Sequence, residues 1–373
     1  MSEVAVGGQW VGRTCRGENV GVGVDGLAAE VRDAALSAGL AAVGTCRAAS
    51  WTRTRALLDE GRHGGRHGGM AFTYRNPPRS TEPHRILSNA ATLVVGAWPY
   101  AARPPDPPSG PGAVAARVAR YATEDHYAHL RAALDQVAAL LRERGHRGVV
   151  MADDNSVVDR EAAWRAGLGF CGKNANILLP GRGSWFILGS VVTDAVLPPF
   201  QPPVADQCGS CRRCIDGCPT GAIVGPGVID ARRCLAWLLQ RPGTFPPEFR
   251  SALGDRIYGC DDCQEVCPAA RREESRSQLG PPGHWLDAIE LLSLDDADLL
   301  ERCERWYIAG RDPNVVRRNL LLVTGNAGDP LDPEVLAIVE EFASHDDPLL
   351  AEHARWARGQ LEQRRRNSED GAA

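Results

Sequence analysis

Eight of the twelve cysteines lie between Cys208 and Cys267. They form two runs, Cys208-x2-Cys211-x2-Cys214-x3-Cys218-Pro219 and Cys260-x2-Cys263-x3-Cys267-Pro268, with Cys234 between them. A secreted disulfide scaffold is short and spreads its cysteines. Dense clustering in a long chain reads as metal or cluster ligation in a reducing compartment. The first run has the spacing of a two-cluster ferredoxin, whose fourth cysteine ligates the other cluster. Short x2 loops wrap neighbouring thiolates around one cube, and the x3-Cys-Pro step sends the last thiolate away. The spacing therefore predicts one [4Fe–4S] cluster on Cys208, Cys211, Cys214 and Cys267. A second takes Cys218, Cys234, Cys260 and Cys263. Paired structural zinc sites are the alternative, but these favour two separated C-x2-C pairs. Cys15, Cys46 and Cys303 have no partner at ligand spacing and read as core thiols.

The chain has 373 residues, enough for two or three domains. Its net charge of −5 excludes a uniformly basic nucleic-acid coat but not a local basic face. The longest clean apolar stretch, Phe186 to Thr193, is far short of a bilayer span. With Glu3 and no apolar segment at the N-terminus, the expectation is a cytoplasmic protein without a membrane partner.

Residues 1–25 are Gly-rich and aperiodic and read as a loose arm. A helical pattern runs from Leu27 to Gly39, and another over 126–144 places Leu130, Leu134, Val137 and Leu141 on one face. Strand-like runs fall at Leu40–Val43, Thr92–Trp98, Val149–Met151 and Phe186–Thr193. Strands alternating with helices predict an α/β domain over 26–203. The Pro/Gly-rich stretch 197–203 marks the boundary to a ferredoxin-like double-cluster module over 204–270. Beyond it, 280–363 reads as a helical tail broken by Asp-Pro steps, of the HEAT-like kind. Residues 364–373 read as a disordered charged end.

An enzyme needs a second centre beside an electron wire. The densest segment is Ala152-Asp153-Asp154-Asn155-Ser156-Val157-Val158-Asp159-Arg160-Glu161, directly after a strand-like run, where α/β sheets bind ligands. Gly167, Gly169 and Gly172 allow close backbone approach. The chain contains a single lysine, Lys173, against 41 arginines. A compact ammonium on a flexible stem is a role arginine cannot copy.

On these residues the chain resembles the tRNA epoxyqueuosine reductase family. The matching stretches are Met70-Ala71-Phe72, Arg79 to Pro83, Asp153 to Arg160, Arg165 to Asn174, Gly183 to Phe186, both cysteine runs, Asp230 to Cys234, Arg318-Asn319 and Gly325-Asn326. The resemblance implies that the α/β domain binds cobalamin and that the clusters pass electrons to it. The reaction would reduce the epoxide of epoxyqueuosine at the tRNA wobble position to queuosine. It implies Asp153 as the proton donor, with Arg79, Asp153, Arg160 and Lys173 beside cobalamin, and an external electron donor. Asp154 is the rival acid. The sequence departs from the family pattern at Asp154-Asn155-Ser156, at Cys171, and at His126-Tyr127, whose order is exchanged. His126 and His129 read as packed or solvated histidines rather than cobalt ligands.

A tRNA partner needs phosphate contacts. Arg302, Arg305, Arg311, Arg317 and Arg318, interleaved with Trp306 and Tyr307, are the candidate surface for its anticodon stem-loop. Two other classes compete: a cobalamin-dependent, dehalogenase-like reductase of a small molecule, and a non-catalytic ferredoxin-like carrier.

Overall fold

The computed structural model describes residues 26–370, apart from 73 and 111. The expected arm over 1–25, with Cys15, lies outside the described residues. In chain order the elements that frame the site begin with α1 (Gly26–Ser37), β1 (Ala42–Arg47), α2 (Thr52–His63), β2 (Thr92–Pro99) and β3 (Ala115–Val118). They continue with α3 (His126–Glu143), β4 (Gly148–Ala152), α4 (Asp159–Arg165) and β5 (Phe186–Thr193). After the cysteine runs begin come β6 (Arg256–Tyr258), β7 (Trp285–Asp287), α5 (Pro313–Ala327), α6 (Pro333–Ala343) and α7 (Pro348–Asp370).

The main sheet has the order β1-β2-β5-β4. Its strands alternate with helices, as read from the sequence, yet all three pairings are antiparallel. Strands β2 and β4 run parallel with β5 inserted between them, so the connection through α3 crosses over the sheet. Both faces are covered, which explains the continuous apolar runs. Val94 and Val191 face α1 and α3, while Leu93, Val95 and Val192 face α4. Helix α3 starts where the Asp125 carboxylate accepts the Ala128 N–H at 2.8 Å. Its Leu130, Leu134, Val137 and Leu141 form the stripe buried on the sheet.

Strand β3 departs from the sequence expectation. The sequence places it within the 26–203 domain, but it pairs with β6 in parallel and with β7 in antiparallel fashion. Ala116 and Val118 belong to the core built by Leu235, Leu238, α5, α6 and α7. An extended four-residue segment carries no local signal of which sheet will take it. The C-terminal end also departs. Helix α7 continues to Asp370, across residues read as a charged fray. Arg364 anchors it by donating to the carbonyls of Gly325 at 3.2 Å and Asn326 at 2.9 Å. Among the described residues no helix is long and apolar enough to cross a membrane.

Candidate active site and cluster centre

The charges of the seven cysteines of the two runs and of Cys234 couple in two groups. Burial raises the Cys214 thiol, and the neighbouring charges of Cys208, Cys267 and Cys211 raise it further. Burial also raises Cys208, with Asp206 and Cys267 adding to it. In the other set burial pushes Cys263 well up, reinforced by Cys260, Cys234 and Cys218. Cys260 is likewise raised, first by burial and then by Asp262, with Cys234 contributing. Burial raises Cys234, and Cys218 adds to it. These sulfur–sulfur couplings run within the two groups expected from spacing. Among the described residues no three His, Cys, Asp or Glu side chains gather as around a single ion.

The two sets differ in exposure at Cys211, the other three outer cysteines being partly buried like the inner four. Cys211 is exposed, whereas Cys218, Cys234, Cys260 and Cys263 are partly buried. Backbone amides address the inner set: Ala222 N–H donates to Cys218 Sγ at 3.2 Å. Such N–H···S contacts favour the thiolate and tune cluster potential.

The module is fastened to the sheet domain by groups the sequence analysis did not single out as a unit. Arg120, 3 % exposed, meets Asp261 at 3.2 Å, Glu265 at 2.8 Å and Glu274 at 3.2 Å. Gln264 accepts from Ser184 at 2.9 Å, and Trp185 Nε1 donates to the Ala270 carbonyl at 3.0 Å. Asn174 Nδ2 donates to the Cys263 carbonyl at 3.3 Å. Gly183 has φ +73°, and a Cβ there would stand 2.5 Å from Ala270 Cα. The two bodies approach backbone to backbone at that point. Ser184, Trp185 and Asn174 lay within the quoted motifs; Arg120 had no sequence signal beyond being an arginine.

The acidic loop leaves the end of β4 at Ala152. Asp153 has φ +55°, an uncommon conformation for a residue with a side chain. It is exposed by surface area, yet enough protein surrounds its carboxyl for desolvation to raise its pKa. Arg131 pulls that pKa back and Asp154 raises it again. Asp159 is raised well above the carboxylate range by burial, then by Asp153. Two neighbouring carboxyls therefore resist simultaneous ionisation. Asp154 is instead a loop former, its Oδ1 accepting the Ser156 N–H at 2.7 Å. Tyr127 faces this group: burial raises it, and the charges of Asp153 and Asp159 raise it further. The field of Asp153 also reaches Tyr258, which stacks on Trp306 with centroids 4.6 Å apart.

The four residues expected beside cobalamin divide. Arg79 Nε donates to Ser156 Oγ at 2.8 Å, and Arg79 lines a cavity of about 280 Å³ with Arg75, Asn76, Ser80 and Asn155. Arg160 is exposed, and its field reaches Asp159, Tyr127, Tyr74, Cys171 and Cys234. It thus lies between the acidic loop and the inner thiol set. Lys173 points elsewhere. Its Nζ donates to the carbonyls of Gly209 at 2.6 Å and Cys211 at 2.9 Å, inside the outer cysteine loop.

His126 is buried against Tyr100, and His129 stacks on Trp98 at 5.4 Å, so both are packed. Cys46 and Cys303 are buried, and burial pushes each thiol up to about 12. The candidate RNA surface is split. Arg302, Arg305, Arg311 and Tyr307 are exposed. Trp306 is buried, Arg317 is 7 % exposed and Arg318 0 %. Arg318 donates to the carbonyls of Leu238, Leu239 and Arg241, and Arg317 to Asp296 and the Leu294 carbonyl. The expectation that both contact RNA is therefore corrected. Alternation along a sequence does not say which side of a helix meets the core.

Two thiol sets beside a sheet domain with a high-pKa acid define a double-cluster redox protein. Residues 207–270 match the 4Fe-4S double cluster binding domain. The chain is 34 % identical over 351 residues to the epoxyqueuosine reductase of Vibrio cholerae, covering 89 % of this chain and 91 % of that one. It is 32 % identical over 292 residues to the Bacillus subtilis epoxyqueuosine reductase, covering 75 % and 74 %. The chain belongs to the epoxyqueuosine reductase family. A solved structure of an epoxyqueuosine reductase with an epoxyqueuosine-modified tRNA-Tyr stem loop superposes with a TM-score of 0.79 at 29 % identity, covering 90 % of each chain.

Proposed function

We infer that this chain reduces the epoxide of epoxyqueuosine in the tRNA anticodon to the alkene of queuosine. Two electrons and two protons are consumed. Both carbon–oxygen bonds break, a carbon–carbon double bond forms, and the oxygen leaves as water. The carrying observation is the placement of Asp153. Its carboxyl has a pKa raised by desolvation and acts on Asp159, as does Arg160, whose field reaches the inner thiol set at Cys234. An alkoxide is a poor leaving group, so a positioned acid whose pKa is raised by desolvation serves this step. Asp154 is occupied by its turn, which favours Asp153 over its rival.

The clusters are assigned to Cys208, Cys211, Cys214 and Cys267 and to Cys218, Cys234, Cys260 and Cys263. Cobalamin, implied by the family resemblance, would supply reductive chemistry at the ring carbons when bound. Arg79 and Arg160 suit it: both present guanidinium groups to open space beside the acidic loop, matching amide and phosphate oxygens. Lys173 does not, because its ammonium is committed to the outer cysteine loop. Its place is in the cluster support.

The helical tail, in which α5 and α6 pack on α7, is read as a HEAT-like platform for the stem loop, and Arg302, Arg305 and Tyr307 as its RNA contacts. A tRNA substrate and thiolate-held clusters suit a reducing cytoplasm. The test is anaerobic protein with an epoxyqueuosine-containing anticodon stem loop. Conversion to queuosine that Asp153→Asn abolishes is expected. Absence of conversion by cluster- and cobalamin-loaded protein would overturn the reading.

A further inference from the structure

We propose that the groove over the outer cysteine set is the docking site of an acidic, protein-borne one-electron carrier. The inference rests on the reading of the two sets as clusters. The groove holds about 380 Å³ and is lined by Arg213, Asp216, Glu265, Val266 and Arg271. Its walls are the two segments that carry the outer set, one containing Cys211 and Cys214, the other leading into Cys267. Cys211 is the exposed cysteine of this set, so an external donor approaches the outer cluster here rather than the enclosed inner one.

The charge of this face is decided by which ions are already paired. Asp216 is held by Arg212 at 3.4 Å. Glu265 and Glu274 share Arg120 with Asp261, Glu265 also meets Arg117, and Glu273 is held by Arg182. Arg213, Arg271 and Arg272 are exposed and have no ion-pair partner among the described residues. Asp206, which accepts the Cys208 N–H at 2.8 Å, is an acid on the same cysteine loop. Three unpaired guanidinium groups thus stand at this face on a chain of net charge −5. A cationic rim around a small partly apolar notch steers an acidic partner and orients it over Cys211. The step transfers one electron: the carrier is oxidised, the outer cluster is reduced, and no bond changes.

The test is stopped-flow reduction of the cluster-loaded, full-length protein, read as bleaching of the iron–sulfur band, without tRNA. The donors are a reduced acidic plant-type ferredoxin and reduced methyl viologen, a small cation. The double substitution Arg213→Glu with Arg271→Glu is expected to slow ferredoxin-driven reduction by about tenfold at low salt. The viologen rate should hold or rise. Asp216→Lys, which adds positive charge and releases Arg212, is expected to accelerate the ferredoxin reaction. Rising salt should slow the wild-type ferredoxin reaction and bring the three proteins together. Ferredoxin rates indifferent to these substitutions, or equal losses with both donors, would overturn the docking site. Because the readout is cluster reduction, failure of the RNA chemistry would leave this result standing.

Discussion

The ammonium of Lys173 lies 2.9 Å from the carbonyl oxygen of Cys211. The single lysine of the chain thus reaches from the sheet domain into the loop that carries the outer cysteine set. Its backbone N–H and its charge also favour the Cys208 thiolate against the burial that raises it. A flexible stem with a rotatable ammonium satisfies two carbonyls that converge on one point, a geometry the planar guanidinium fits poorly.

Lys173→Met should therefore loosen the outer cluster before the inner one. Iron content of anaerobically prepared protein should fall toward roughly half of the eight-iron complement expected for two cubes. Lys173→Arg should recover part of it. Full iron and an unchanged electron paramagnetic resonance spectrum in the methionine variant would show that the contact has no part in holding the cluster.

Asp153→Asn should lower kcat by about 10²- to 10⁴-fold, the range of a lost general acid. The pH dependence gives a second check. An acid works while protonated, so kcat should fall as pH rises through the raised pKa of Asp153. Asp154→Asn keeps the Oδ1 acceptor for Ser156 but removes the like charge that helps raise Asp153. Its alkaline limb should move to lower pH. An unmoved limb would mean that Asp153 is not the titrating acid.

Arg318→Ala should cost several kcal/mol, because buried carbonyls of Leu238, Leu239 and Arg241 lose their donor. Chemical denaturation of the two proteins measures it. By contrast, Arg302→Glu combined with Arg305→Glu should leave stability within about 1 kcal/mol. This pair should weaken stem-loop binding and flatten its salt dependence. Unchanged affinity would remove this face from the RNA surface.

His353 is fully buried in α7; its Nε2 accepts the Phe245 N–H at 3.2 Å and its Nδ1 faces the Leu349 carbonyl at 2.7 Å. That pairing makes Nδ1 the donor and the ring neutral. Burial lowers its pKa from 6.5 to about 4. The unfolded chain takes up the proton first as pH falls, so this stability is complete above about pH 6.5. It drains away on acidification through about pH 4. Between pH 7 and pH 5, wild type should lose more unfolding free energy than His353→Gln. Parallel losses would refute the assignment.

The double-cluster module was readable because ligand spacing is local: x2 loops and x3-Cys-Pro steps are the pattern of cube ligation. The runs that became β2, β4 and β5, and the stripe of α3, were readable because period 2 and period 3.6 report directly on burial. Asp153 was readable as a loop acid by its position after a strand-like run. Pairing direction, the capture of β3 by a distant core, and the burial of Arg318 were not. Each depends on which remote segment supplies the partner. So does the destination of the Lys173 ammonium, since a side chain several bonds long can serve either neighbour until the backbones around it are in place. The amino-acid order by itself determined the metal chemistry this chain supports, and only the tertiary structure decided which cations face cluster, core or solvent, because a charge is spent or free according to the acids and carbonyls that packing brings beside it.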